Sequence, residues 1–176
     1  LDLVSIDSGE IRISGIKNTE TRSRESLAFL PEKFTPPYYL TGKDFLEYIL
    51  RLYDVNSNQQ SINSILTSLD FNPEFLSKPV RQLSKGMMQK LGLTACFLSN
   101  KKTMVLDEPM SGLDPRARAH LKQHLLEVKE KGITMFVCTH LLSDVEAICD
   151  RVSILHEGSI RFTGTTQECC QKYNVS

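Results

Sequence analysis

A short uncharged stretch that ends at two adjacent carboxylates constrains the possible folds of this chain more than any other feature. Residues Thr103 to Leu106 carry no charge and include β-favouring types, and Asp107, Glu108 and Pro109 follow them directly. This pattern predicts a short buried strand over residues 103–106. In an open parallel sheet, ligands bind beyond the carboxyl ends of the strands, so both carboxylates would lie at the mouth of a site.

Two carboxylates at the end of one strand can share the work of a hydrolytic site. One can hold a hard cation such as Mg²⁺, which prefers oxygen ligands, and the other can take a proton from water. The simpler alternative is a strand whose acidic residues open the next helix. The pair alone leaves both interpretations open, so the neighbouring segments have to distinguish them.

A possible helix start lies on each side of this strand. After it, Asp114-Pro115 suits a helix start, with Asp as the N-cap and Pro at the first helical position. Before it, Ser84 and Gly86 precede an apolar-rich segment. A small polar residue and a glycine at a helix start can form an anion site, because backbone N–H groups and the helix dipole point outward there. Taken alone, this segment is equally an ordinary N-cap.

The order of these motifs along the chain is more specific than any one of them. Leu-Ser-Lys-Gly-Met (83–87), Met-Val-Leu-Asp-Glu-Pro (104–109), Ser-Gly-Leu-Asp (111–114) and Cys-Thr-His (138–140) follow one another. Together they resemble the signature motif, Walker B strand, D-loop and switch histidine of the nucleotide-binding domain of ATP-binding cassette (ABC) transporters. The resemblance extends from about Ser8 to Gly164, nearly the whole chain.

The resemblance implies a set of site residues around ATP and Mg²⁺. Asp107 would hold Mg²⁺ through water, Glu108 would be the general base, and His140 would contact the γ-phosphate. Asp114 would link the two sites of a head-to-tail dimer of such domains. Glu32 stands where the family has a glutamine that contacts the metal and the attacking water, so it is assigned to both metal and nucleotide. The signature residues that would close over the nucleotide of the second domain are Leu83, Ser84, Lys85, Gly86 and Met87.

Three of these positions depart from the commonest form of the family. A carboxylate at Glu32 can still ligate Mg²⁺, but it adds negative charge near the phosphates, and the alternative is a solvent-facing loop residue. Lys85 stands where a second glycine is usual and Met87 where glutamine is usual. Lys85 could add positive charge near a phosphate or point to solvent. The form Leu-Ser-Lys-Gly-Met resembles the exporter branch of the family more than its importers.

The predicted fold class is α/β, with a P-loop NTPase-like core of sheet and helices and an inserted helical subdomain. Residues 1–36 and 103–176 would form the ATP-binding lobe. Residues 37–102, which are strand-poor and helix-rich, would form the helical signature lobe. In ABC proteins the helical lobe docks onto the membrane partner. Closing and reopening of the dimer would move the helical lobes and so drive transport by that partner.

Periodicity predicts where several other elements lie. Phe45, Ile49 and Leu52 share one face of a predicted amphipathic helix over 43–53, and we expect this apolar face to lie in the core. Nearly continuous apolar sequence over 133–138 predicts a strand covered on both faces.

A further helix is predicted over residues 116–131. His120 and His124 lie four residues apart on it, a spacing that can bind a metal when both side chains face a cleft. Because both flank the apolar stripe of a charged helix, we predict solvated surface residues instead. Short apolar segments at 152–155 and 160–162 predict a hairpin.

The composition of the chain limits the kinds of partner that we expect it to bind. The 176 residues include 21 basic and 21 acidic side chains and have zero net charge, whereas nucleic-acid binding needs a basic face or stripe. No apolar run approaches the ~18 residues of a membrane-spanning helix. Five cysteines without a Cys-x-x-Cys pair indicate reduced thiols in the cytosol. We therefore expect no nucleic-acid partner, and a place on the cytoplasmic face of a membrane through a membrane-spanning transporter domain or subunit.

One motif of the family is absent from these 176 residues: the Gly-x-x-x-x-Gly-Lys-Ser/Thr loop, whose amides and lysine hold phosphates. In the family it precedes the strand that begins near Glu10, so the resemblance implies that the first part of the core is missing. Residues 1–176 alone are then expected neither to bind nor to hydrolyse ATP. A groove lined by apolar side chains is expected beside the Thr103–Leu106 strand.

Two functions other than an exporter ATPase remain open. A soluble ABC ATPase acting on DNA or ribosomes would carry long coiled coils, a zinc module or basic linkers, and none is visible in the sequence. The other is a catalytically silent docking module that lacks its phosphate-binding loop. Asp107, Glu108 and His140 are all of the catalytic type, which argues against a silent module.

Overall fold

The computed structural model describes residues 3–56 and 58–173. The strands are β1 (Arg12–Ile13), β2 (Ile16–Lys17), β3 (Leu27–Leu30), β4 (Thr103–Asp107), β5 (Thr134–Cys138), β6 (Arg151–His156) and β7 (Ser159–Thr165). The α-helices are α1 (Gly42–Leu52), α2 (Gln59–Ser68), α3 (Lys85–Leu98), α4 (Pro115–Glu130), α5 (Leu142–Ile148) and α6 (Thr166–Tyr173). Short 3₁₀ helices cover Thr21–Arg24, Pro73–Ser77 and Val80–Gln82.

The chain divides into two compact units, Leu1–Cys138 and Thr139–Ser176. The first unit contains β1 to β5 and α1 to α4, and the second contains α5, β6, β7 and α6. The predicted lobes, residues 1–36 with 103–176 and residues 37–102, remain a prediction. Residues 1, 2, 57 and 174–176 of those lobes lie outside the described residues.

A parallel sheet of order β3-β4-β5 forms the centre of the first unit. Leu30 pairs with Leu106, and Asp107 pairs with Cys138, so the carboxyl ends of all three strands reach the same edge. The predicted strand over 103–106 is confirmed and extends to Asp107. Parallel strands separated by helical connections confirm the predicted α/β class.

The helical part between β3 and β4 begins with local capping signals. Thr41 forms a capping box with Asp44 at the start of α1. The predicted helix is confirmed, and its buried hydrophobic residues are Phe45, Leu46 and Leu50. Leu52, the last residue of the helix, is 63% exposed, so its predicted core position is wrong.

α3 is the most deeply buried helix of the first unit, with every residue from Gln89 to Cys96 buried. A helix that is apolar around most of its circumference must be surrounded by other elements. On one side α3 joins the helical core through Leu91, Ala95 and Leu98. On another side it approaches β3 so closely that a Cβ at Gly92 would lie 2.6 Å from Cδ1 of Leu30.

β5 is less covered than its apolar sequence predicted. Phe136 is 62% exposed, and Thr134 and Cys138 are exposed too. Within the described residues β5 pairs only with β4 and forms an edge of the three-stranded sheet. The expected groove beside β4 is also wrong, because β3 and β5 occupy both sides of that strand. The uncovered apolar surface lies on β5 instead.

The second unit contains the predicted hairpin. β6 and β7 pair antiparallel from Arg151 with Thr165 to His156 with Ser159. Glu157 and Gly158 between them have φ values of 48° and 72°, which is the positive-φ pattern of the two-residue turns that suit a twisted hairpin. In the described part of the chain, no helix combines the length and apolar character needed to cross a membrane.

His124 is a buried residue, which corrects its predicted place on the solvated surface. The residue is 9% exposed, its ring lies 4.4 Å from the ring of Phe97 on α3, and its Nδ1 lies 3.2 Å from Oγ of Ser68 on α2. The sequence of α4 alone could not show that α2 and α3 cover this face. His120, on the same helix, is half-buried.

The burial of His124 predicts a pH dependence of stability. Burial is the main cause that lowers the pKa of His124 from 6.5, opposed by Glu127 and assisted by Lys131. The unfolded chain therefore binds more protons than the folded one below about pH 6.5, and stability falls as the pH falls through that region. We expect wild-type Tm to drop more between pH 7.5 and pH 5.5 than the Tm of His124→Gln. His120→Gln serves as the matched control and should keep the wild-type drop; equal drops in all three proteins would contradict the role of His124.

Candidate active site

The acidic end of β4 is the centre of the candidate site. Asp107 is the last residue of the strand, and the N–H of Glu108 donates to the carbonyl of Cys138 on β5 at 2.9 Å. The backbone of Glu108 then turns into the left-handed region, with φ of 47°. This conformation costs an L-residue roughly 1–2 kcal/mol, so surrounding contacts have to maintain it.

The pKa of the Cys138 thiol is affected by the negative charge at this edge of the sheet. Although Cys138 is exposed as a residue, partial burial is the main cause that raises the pKa of its thiol, and the negative charges of Asp107 and Glu108 raise that pKa further. Both carboxylates therefore act on the same point at the carboxyl end of the sheet. Such a concentration of negative charge attracts cations and, without one, repels a polyanion.

The segment after Glu108 is a compact turn, which we call the acidic turn and define as residues 108–114. The N–H of Ser111 donates to the carbonyl of Glu108 at 3.0 Å, and the side chain of Met110 is 1% exposed and anchors the turn. Asp114 ends the turn as the N-cap of α4, because its carboxylate accepts from the N–H of Ala117 at 2.9 Å. That hydrogen bond lowers the pKa of Asp114. The predicted N-cap is confirmed.

The predicted signature residues lie at the amino end of α3. Ser84 is the N-cap, and its hydroxyl accepts from the N–H of Met87 at 3.2 Å. Ser84 and Lys85 are exposed, whereas Met87 is half-buried against the helical core. Leu83 is 6% exposed and belongs to that core, so its side chain serves packing.

Three contacts join the start of α3 to the acidic turn. Nζ of Lys85 donates to Oγ of Ser111 at 3.0 Å, so the ammonium group of this exposed residue contacts the acidic turn of its own chain. Gly86 packs so tightly that a Cβ there would lie 2.7 Å from the carbonyl oxygen of Gly112. Gly86 is therefore required by the fold of one molecule, apart from any approach of a phosphate.

The third contact involves Gln89, for which the sequence predicted no role. Gln89 is 3% exposed, and its Nε2 donates to the carbonyls of Glu108 at 3.3 Å and Pro109 at 3.2 Å. The available signal was an uncharged polar residue just before the apolar-rich segment of the helix. Buried polar side chains are almost always hydrogen-bonded, but the partner could not be inferred from the sequence.

For Glu32 and His140 the structure gives the exposure and the position at a strand end. Glu32 is exposed and follows the end of β3 at Leu30, so it lies at the same edge of the sheet as Asp107. His140 is exposed and follows the end of β5, but it belongs to the second unit and is described there alone. The structure thus brings together Asp107, Glu108 and the start of α3.

The donor set fits a magnesium ion that arrives with a nucleotide. Across residues 3–56 and 58–173, no group of three or more His, Cys, Asp or Glu side chains could hold a metal by itself. Mg²⁺ usually keeps several waters and binds through one or two carboxylates plus substrate phosphates. Asp107 offers such a carboxylate, and Glu32 offers a second at the same edge.

Comparison with known proteins identifies relatives among ABC transporter ATP-binding proteins. The family model described as ABC transporter matches residues 1–111. An uncharacterized ABC transporter ATP-binding protein of Synechocystis sp. is 34% identical over 177 residues, covering 94% of this chain and 50% of that protein. The lantibiotic transport ATP-binding protein SrtF of Streptococcus pyogenes is 30% identical over 160 residues, covering 90% of this chain and 67% of that protein.

A solved structure shows the same fold. The dimeric post-hydrolysis state of the ATP-binding cassette MJ0796, bound to ADP and Pi, aligns with a TM-score of 0.79 at 20% identity, covering 91% of this chain and 74% of that one. The fold is therefore P-loop NTPase-like. The family match over more than half of the residues shows that the chain belongs to the ABC transporter family, as a nucleotide-binding domain. The chain spans about half the length of the first curated relatives it matches.

The contact between Gly86 and Gly112 predicts the effect of a small substitution. In Gly86→Ala the new methyl group would overlap the Gly112 carbonyl, and overpacking of this kind costs about 1–3 kcal/mol. We expect lower stability in urea unfolding followed by circular dichroism. Glu130→Ala, at an exposed position on α4 away from this contact, is the control and should change stability by about 0.5 kcal/mol or less. A Gly86→Ala protein as stable as wild type would show that the turn can move away.

Proposed function

We propose that this chain is the ATP-binding and hydrolysing subunit or domain of an exporter-type ABC transporter, in which closure of a dimer on ATP is coupled to transport. One observation carries the proposal. The acidic end of β4 and the start of α3 are joined through the acidic turn by the contacts of Lys85, Gly86 and Gln89. The edge that would bind the metal and the helix start that would face a phosphate therefore belong to one connected element.

In this proposal the carboxylates have two different roles, metal binding and proton acceptance. Asp107, with Glu32, would hold Mg²⁺, which would offset the charge of the phosphates when bound. Glu108 would accept a proton from the attacking water as general base. His140 would contact the γ-phosphate. Hydrolysis of ATP depends mainly on positioning and charge stabilisation, which suits residues held on strand ends.

The start of α3 would act on a nucleotide held by a second domain. Ser84 and Lys85 are exposed, so this end of the helix is accessible to a head-to-tail partner. Residues Leu83 to Met87 would close over the γ-phosphate, and Asp114 would link the two sites. The dimeric MJ0796 cassette with ADP and Pi supports the dimer of this proposal.

The partners follow from the family. A membrane-spanning transporter domain or subunit would bind the helical lobe, residues 37–102, and would hold the protein at the cytoplasmic face of the membrane. The transport-related names of the relatives support such a partner, and zero net charge supports the absence of a nucleic-acid partner. The Leu-Ser-Lys-Gly-Met form supports the exporter branch.

The role of Glu108 can be tested in the complete protein. Glu108→Gln removes the proton acceptor but keeps the shape of the side chain, so ATP should still bind while turnover is lost. We expect kcat to fall by about 100-fold or more, within the range typical of general-base catalysis, and a closed dimer to accumulate with ATP in size-exclusion chromatography. Glu130→Gln, at an exposed position on α4, should keep the wild-type rate. Hydrolysis by Glu108→Gln within a few-fold of wild type would remove Glu108 from this role.

Residues 1–176 as an isolated protein provide a second test, which also addresses the silent docking module. The carboxylates at the edge of the sheet repel a polyanion, and the sequence contains no Gly-x-x-x-x-Gly-Lys-Ser/Thr loop to offset them. We expect calorimetric titration with Mg²⁺-ATP to give no saturable binding, and no phosphate release. Micromolar binding by these residues alone would place the phosphate site elsewhere in the chain.

A further inference from the structure

The side chain of Gln89 connects the interior of α3 to the backbone that carries Glu108. Gln89 is almost completely buried, and its amide donates to two successive carbonyls, those of Glu108 and Pro109, at 3.3 and 3.2 Å. The helix backbone on which Gln89 stands is itself fixed, because α3 packs on the helical core and on β3. The two hydrogen bonds therefore tie the acidic turn to the most deeply buried helix of the first unit.

The backbone at Glu108 needs such support because its φ of 47° lies in a region that L side chains rarely adopt. On the amino side, the Glu108 N–H donates to Cys138, which continues the sheet by one residue. On the carboxyl side, the Glu108 carbonyl accepts from both the N–H of Ser111 and the amide of Gln89. The peptide groups on both sides of the Glu108 Cα are thus held, and with them the direction in which the Glu108 side chain leaves the backbone.

We infer that Gln89 is a positioning residue for Glu108. This inference rests on the proposed function, in which the Glu108 carboxylate meets the attacking water. Without the Gln89 amide, the carbonyls of Glu108 and Pro109 lose a buried donor, and the left-handed backbone at Glu108 loses its link to α3. The carboxylate would then spend less time in the productive geometry, and displacements of about 1 Å are enough to reduce a rate by about 100-fold.

The test compares two buried substitutions on α3 in the complete protein. Gln89→Met keeps a side chain of similar length but removes the donor. Thr94→Val is the matched control, because Thr94 is fully buried on the same helix and its hydroxyl donates to the carbonyl of Lys90, one turn back. We expect Gln89→Met to lower kcat for Mg²⁺-ATP by about 10- to 100-fold, with KM within about two-fold. Thr94→Val should stay within about three-fold of wild type in both constants.

A second background separates positioning from general structural damage. If Gln89 acts through the Glu108 carboxylate, Gln89→Met should cause little further loss in a protein that already carries Glu108→Gln, because effects of residues that act as a unit are not additive. A loss of the same size on both backgrounds, or an unchanged kcat in Gln89→Met, would overturn the inference. A wild-type protein that hydrolyses no ATP would instead overturn the proposed function itself.

Circular dichroism and thermal unfolding accompany each kinetic measurement. If Gln89→Met does not fold, Gln89→Asn replaces it, because asparagine keeps the amide and withdraws it by one methylene group. We expect Gln89→Asn to reduce kcat in the same direction with KM for ATP retained. Wild-type kcat in a folded Gln89→Asn protein would overturn the inference in that case.

Discussion

The packing and the site geometry of the first unit both depend on the burial of α3. One side of this helix completes the helical core through residues such as Leu91 and Leu98, and another side lies directly against β3 at Gly92. Its amino end holds the acidic turn through Lys85 and Gln89. Because the same helix supplies packing and site geometry, residues that resemble ordinary core positions also determine where Glu108 lies.

The parts of the structure that could be predicted depend on residues close together in the sequence. Ser84 and Asp114 cap their helices through N–H groups three residues further on, so the cap and its partner are read together. The hairpin of the second unit turns at Glu157-Gly158, where glycine favours positive φ. The uncharged run of β4 ends in acid within one short segment. Local signals of this kind were sufficient for the element types and for the acidic edge.

The parts that could not be predicted depend on which distant segments meet. The sequence predicted an exposed His124 because the residues that bury it, Ser68 and Phe97, lie on two other helices. Phe136 looked buried because an apolar run does not reveal that its strand lies at an edge. Gln89 had no assigned role because its acceptors lie 19 and 20 residues further along the chain. Each case is decided by tertiary contact, which a periodicity or a motif does not encode.

The order of the sheet has a consequence for how the first unit forms. β3 and β4 are neighbours in space, yet α1, α2 and α3 all lie between them in the chain. Closing so long a loop carries an entropic cost before any strand contact is made. Helices, by contrast, form from local contacts within microseconds. We therefore expect the three helices to assemble first and to shorten the effective distance between the strands, so that pairing of β3 with β4 becomes the slow step of folding.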